Sequence, residues 1–213
     1  RIFNVNGTFR SDQIVVAQAI PFFDAPSRPT VAVEPSGEFL VVWDFFSFDT
    51  FLYTGFARGY NADGTPKDEA FEFAEDLVDE VHLPDVAVNS DGEYRIVWDD
   101  FSQVLTRTYS IDGDVLSEVE KVNDVDGTSG DGLIPRISIA EDDSFVIGWT
   151  NTDLVPSGSG FVVQRYDSLG DKIGANVFIS ESLTPFEQVA DVAAASNGEF
   201  SVGWLNTATS GTG

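Results

Sequence analysis

Three sets of side chains in this chain have types and spacings that could do chemistry. The segment Asn123-Asp-Val-Asp-Gly-Thr-Ser-Gly-Asp131 alternates oxygen donors with glycine. That arrangement suits a hard divalent cation such as Ca²⁺, which takes carboxylate and carbonyl oxygens. Asp124, Asp126 and Asp131 are its candidate metal ligands. The segment lacks the length pattern and closing Glu of an EF-hand, and a solvated acidic turn is the competing reading. Glu75, Asp76, Asp79 and Glu80 crowd an earlier loop in the same way. The second set is Phe45, Phe46, Phe48 and Phe51, four phenylalanines within Asp44–Leu52. They cannot all point inward from a short connection. They form either an exposed apolar patch for a partner or a packed group that caps the axis of the fold or extends the flanking strands. The third set, Asp99 and Asp100, follows Trp98 and is a candidate for polar contact with a ligand.

Catalysis has little support. The single His, His82, lies between Val81 and Leu83 at the start of an apolar run, a setting for a packed residue rather than a base. No Gly-x-Ser-x-Gly, phosphate-loop or His-Glu-x-x-His pattern occurs. Paired carboxylates could support glycoside hydrolysis, but so acidic a chain produces such pairs by chance. We therefore expect no enzyme.

Composition narrows the field further. The chain has 213 residues, 36 acidic against 11 basic, and a formal net charge of −25. A nucleic acid would be repelled by this surface, and no basic patch exists to release counterions. There is no cysteine, which removes disulfides and thiolate metal sites. No apolar run approaches the length of a membrane-spanning helix, and no membrane insertion is expected. The excess of Asp and the scarcity of Lys fit either divalent-cation binding or a saline habitat in which screening weakens self-repulsion. The chain opens on Arg1 without a leader-like segment, the expectation for a processed product or a fragment.

These side chains must be positioned by a repeat. Trp43, Trp98, Trp149 and Trp204 are spaced by 55, 51 and 55 residues. Each ends an alternating run, such as Gly37-Glu-Phe-Leu-Val-Val-Trp43, that reads as a strand at period two. A second strand begins 14 residues before each Trp, as in Pro29-Thr-Val-Ala-Val33 and Pro84-Asp-Val-Ala-Val88. Turn residues ending at Gly37, Gly92, Asp143 and Gly198 join the two, because Gly and Asp tolerate the positive φ of tight hairpins. After the Trp comes an aromatic with Gly four residues on: Tyr60 and Gly64, Tyr109 and Gly113, Tyr166 and Gly170. Arg58, Arg107 and Gln164 precede these aromatics by two residues. A fourth strand follows, at Ala70–Phe73, Val119–Val122 and Asn176–Ile179.

The fourth copy lacks its second half, and the N-terminus supplies one: Arg1, Phe3 and Gly7 sit at the matching offsets, and Gln13–Val16 is predicted to be its strand. The repeats are therefore about 29–83, 84–134, 135–189, and 190–213 completed by 1–28. Four short strands per repeat predict an all-β chain, a four-bladed β-propeller with about four antiparallel strands per blade. One blade would be shared between the N- and C-terminal strands, giving a single domain over residues 1–213. A slice of a longer array would show the same permutation, and a β-sandwich is the simpler alternative.

The repeat resembles Trp-containing repeats of roughly 50 residues in large secreted or surface-attached bacterial proteins, often beside calcium-binding or cadherin-like modules. Val162-Val-Gln-Arg-Tyr-Asp-Ser-Leu-Gly170 carries the closest match. The shared residues are core and turn positions and bring no catalytic motif. The resemblance implies an extracellular or cell-surface binding module for adhesion or assembly, with Ca²⁺ as a structural ion. Its partners would be a protein or glycan at a cell or matrix surface, or a second copy of the chain. A carbohydrate-binding propeller is the alternative, and a glycosidase-like enzyme a weaker one.

Overall fold

The computed structural model of the chain describes residues 1–17, 24–75, 80–124, 133–155, 158–179 and 190–204. The described residues contain strands and turns and no helix. The strands form four sheets, each following the chain. The first contains β1 (Asp24–Val33), β2 (Phe39–Ser47), β3 (Tyr53–Tyr60) and β4 (Phe71–Glu72), in that order. The second contains β5 (His82–Val88), β6 (Tyr94–Asp99), β7 (Val104–Tyr109) and β8 (Glu120–Lys121). The third contains β9 (Arg136–Ile139), β10 (Phe145–Val155), β11 (Gly158–Tyr166) and β12 (Lys172–Phe178). The fourth pairs β13 (Ala190–Ala194) with β14 (Phe200–Trp204). The pairing is antiparallel throughout the sheets, as short hairpin connections require. The chain divides into two compact units, Arg1–Ile96 with Arg107–Glu118, and Val97–Thr106 with Val119–Gly213.

The turns follow the residue types closely. Gly37 N–H donates to Glu34 O and Glu34 N–H to Glu38 O, both at 2.8 Å. This closes a three-residue loop whose last member is left-handed. The same pair of bonds recurs at Asn89/Gly92, Ala140/Asp143 and Ala195/Gly198. All four closing residues have positive φ, including Asp143 at 63°. The predicted aromatic-to-glycine turns have the same construction at Gly64, Gly113 and Gly170.

The Arg and Gln ahead of those aromatics also have a shared task. Arg58 Nε donates to Asp68 O (2.9 Å), Arg107 Nε to Ser117 O (3.0 Å) and Gln164 Nε2 to Gly174 O (3.2 Å). Each side chain thus ties its strand to the backbone ten residues on. Opposite aromatics stack beside these turns: Phe39 on Tyr60 at 4.9 Å and Phe145 on Tyr166 at 4.3 Å, with nearly parallel rings.

The N-terminus is a further copy of the second turn. Phe3 bridges Phe9 as Tyr60 bridges Pro66 and Tyr109 bridges Val115. Arg10 N–H donates to Ile2 O just as Lys67 N–H does to Gly59 O and Leu116 N–H to Thr108 O. Ile2 N–H donates to Ser11 Oγ as Thr108 N–H does to Ser117 Oγ. The predicted strand at Gln13–Val16 does not form. Ile14, Val16 and Ala17 instead pack their side chains on Val41, Trp43 and Tyr60. The apolar residues find a core there without a ladder of backbone hydrogen bonds.

The middle strands are buried on both faces, beyond the single face that the alternation marks. In β2, Leu40 and Val42 are as buried as Val41 and Trp43, and β6 is buried at Tyr94 and from Ile96 through Asp99. Within the first unit, β5 packs across β1, β2 and β3. A Cβ on Gly55 would lie 2.3 Å from Phe73 and 2.5 Å from Val81, so only glycine allows that approach. Within the second unit, β13 packs across β9 and β10, and Val192 joins Val146, Phe161 and Val163 in one core. In both units, the first strand of one sheet covers the opening strands of the preceding sheet.

Candidate functional site

The β2–β3 hairpin runs past Trp43 before it turns. Phe45 pairs with Thr54 and Phe46 with Tyr53. Ser47 N–H then donates to Leu52 O (3.0 Å) and Phe51 N–H to Ser47 O (2.8 Å), closing a tight tip. By contrast, β6 ends one residue after its Trp. The residue run explains the extension: Phe45, Phe46 and Tyr53 favour strand geometry, and Asp49-Thr50 supplies the polar turn.

Four phenylalanines are divided by this geometry. Phe45 and Phe46 are half-buried members of β2, and Phe45 meets Phe56 edge-on at 5.9 Å. Phe48 and Phe51 are 52% and 70% exposed, and neighbouring Leu52 is 48% exposed. Phe46 is the hub that holds the tip together, with Phe48 at 5.0 Å, Phe51 at 6.4 Å and Tyr53 at 4.8 Å. Phe51 has φ of 59°, a left-handed conformation disfavoured for a bulky L-residue. The tip is thus an aromatic cluster with a strained, exposed residue at its turn.

A polar layer lies beneath it. Asp44 is completely buried, and its carboxylate accepts from Leu83 N–H (3.1 Å) and from the Ser27 hydroxyl. These bonds join β2 to the irregular part of β1 and to the start of β5. Arg28 and Leu83, each preceding a proline, are left-handed at 47° and 52°. His82 is buried, 4.7 Å from the Tyr53 ring, with Arg28 Nη1 3.4 Å from its Nε2. Arg28 and Tyr53 escape sequence reasoning because they lie 54 and 29 residues from His82 along the chain.

The acidic candidates are placed differently from the phenylalanines. Asp99 is completely buried, and its Oδ1 accepts from Phe101 N–H (3.0 Å). Asp100 caps its own turn, accepting from Ser102 N–H (2.9 Å), Gln103 N–H (2.6 Å) and the Ser102 hydroxyl (3.0 Å).

Asp124 exchanges hydrogen bonds with Asn176, its Oδ2 accepting from Asn176 N–H (3.0 Å) and its own N–H donating to Asn176 Oδ1 (2.6 Å). Its Oδ1 is 3.9 Å from the Lys172 ammonium, which also donates to Lys121 O and Val122 O. Asp126 and Asp131 lie outside the described residues. Among the described residues, no three His, Cys, Asp or Glu side chains converge as a metal site.

The structure therefore brings Phe45, Phe46, Phe48 and Phe51 together at one tip and leaves Asp99, Asp100 and Asp124 in separate local roles. In comparisons with known proteins, the chain matches no family model and no curated protein.

Proposed function

We propose that the chain is a non-catalytic binding module for adhesion or assembly at a cell or matrix surface, and that the β2–β3 tip is its recognition element. The observation that carries this reading is the exposure of Phe48, Phe51 and Leu52 on a hairpin stiffened by Phe46 and Tyr53. Aromatic side chains on a rigid support gain contact area at low entropic cost, as recognition surfaces need. The test is sedimentation of the purified chain across a wide concentration range, beside Phe48→Ser/Phe51→Gly. Association by the parent that the double variant loses supports assembly through the tip. A chain that stays monomeric at high concentration, and whose tip variant behaves identically with surface extracts, overturns it.

The proposal extends to architecture. The four sheets are blades of a four-bladed β-propeller, with the N-terminal half-repeat completing the blade begun by β13 and β14. Supporting this are the repeated turn chemistry, the copied hydrogen bonds around Ile2 and Phe3, and the recurring cover of one sheet by the first strand of the next. Small-angle scattering tests closure: a compact ring of this length has a radius of gyration near about 17 Å, and an open array exceeds it.

Calcium is proposed as a structural ion of the acidic loop at 123–131. A melting rise specific to Ca²⁺ over matched monovalent salt supports defined sites. Equal stabilisation by any salt reduces the acidity to screening and removes the ion from the proposal.

A further inference from the structure

The first unit contains an open depression of about 690 Å³ whose lining shares no residue with the aromatic tip. This volume falls in the range of small-ligand sites. One wall comes from β4 and its exit, with Phe71, Glu72 and Glu75; the other comes from β7 and its turn, with Arg107, Tyr109 and Val115. Repeat periodicity reads these residues as strand and turn positions, and the tip does not use them.

The walls are preorganised. Phe71 and Tyr109 face each other at 6.1 Å with their planes inclined by 38°. Tyr109 Oη accepts from Ala74 N–H (3.2 Å), which fixes the ring. Arg107 is buried over Tyr109, its guanidinium carbon 5.9 Å from the ring centre and its Nε held by Ser117 O. Gly113 makes the geometry accessible, because a Cβ there would come within 2.8 Å of the Phe71 ring. Ala74 is left-handed at φ 64°, and strain of this kind concentrates at functional positions.

Charge and shape together select the ligand class. Two carboxylates disfavour an anion, and the buried guanidinium disfavours a simple cation. An apolar ligand would desolvate Glu72 and Glu75 without replacing their hydrogen bonds, which is costly. A polyhydroxylated ring avoids each objection. Its C–H face lies on an aromatic wall, and its hydroxyls both donate to carboxylates and accept from N–H groups. We propose that this site binds a neutral saccharide, with half-buried Phe71 contacting the sugar face, buried Tyr109 backing that ring, and Glu72 and Glu75 accepting from the sugar hydroxyls. Burial, and after it the neighbouring Glu75, raises the Glu72 carboxyl above its ordinary value.

The test uses the whole chain with cellotriose, maltotriose, mannotriose and chitotriose as probes. Saturation-transfer NMR detects contact and calorimetry measures affinity. At least one trisaccharide should bind at millimolar concentration or better. Glu72→Gln/Glu75→Gln should weaken it at least about tenfold, the size expected for lost charge-assisted hydrogen bonds. Val115→Trp should block entry from an exposed position that leaves the fold intact. Phe48→Ser/Phe51→Gly should leave sugar binding unchanged, so this site and the tip fail or succeed separately. The proposal is overturned if no trisaccharide binds, if the double Gln variant binds as the parent does, or if spermidine binds in place of the sugars.

Discussion

At the end of the sheets that carries the β1–β2 and β3–β4 connections, left-handed backbone falls on glycine at 37, 64, 92, 113, 170 and 198, with Asp143 as the one substitute. At the opposite end, and within the first strands or just ahead of them, it falls on Arg28, Phe51, Ala74, Leu83, Phe101 and Ile134. Glycine adopts this conformation without a Cβ clash, whereas an L-side chain is strained by about 1–2 kcal/mol. One end of each sheet is therefore built from relaxed local turns. The other is held by tertiary contacts that overrule local preference, and it carries the aromatic tip. A region that stores strain and exposes large apolar side chains is where a binding surface belongs.

The largest expected effect tests what holds the strained end. Asp44→Ala leaves Leu83 N–H and the Ser27 hydroxyl without their buried acceptor and should cost about 2–4 kcal/mol, read by chemical denaturation. A loss below about 1 kcal/mol would mean that the left-handed residues need no such support.

Two glycines sharpen the other half of the contrast. Gly198→Ala meets no atom of the described residues within 4 Å and should cost only the backbone term, about 1 kcal/mol. Gly113→Ala has the same φ problem and also collides with Phe71, so it should cost about 2–3 kcal/mol. Equal losses in thermal melts would deny that the second turn is locked by its neighbour.

Phe51→Gly should have the opposite sign. It removes left-handed strain and should stabilise the fold by about 1 kcal/mol while weakening partner contact. A destabilised variant would show that Phe51 is a packing residue instead.

The smallest effect concerns Glu72. Its raised carboxyl value means that the native state holds the proton more readily than the unfolded chain. The associated stability is present below the unfolded value and is lost as pH rises through the folded value. Glu72→Gln should therefore raise the melting temperature slightly at neutral pH, by less than about 1 kcal/mol in stability. The difference should vanish in acid, where the parent carboxyl is protonated in both states.

Strands and turns were legible in the sequence because their causes are local. Alternation marks β2, β6, β10 and β14, and the residue four after each aromatic has the φ that its type allows. The strand expected at Gln13–Val16 failed because its apolar residues are satisfied by side-chain packing on Trp43 and Tyr60. The candidate site was legible only in part. The phenylalanine cluster stands out as composition, but its division into half-buried Phe45 and Phe46 and exposed Phe48 and Phe51 depends on where the hairpin turns. Asp44 and Asp99 look alike after their tryptophans, yet Asp44 accepts from a residue 39 positions away while Asp99 accepts from one two positions away.

The sequence alone determined the all-β character, the repeat and its turns, since hydrophobic period and backbone tolerance act over a few residues. Tertiary structure alone decided which aromatics reach solvent, which carboxylates are buried and which side chains line the depression beside Tyr109. Those outcomes depend on segments tens of residues apart, where packing and the satisfaction of buried polar groups outweigh local propensity.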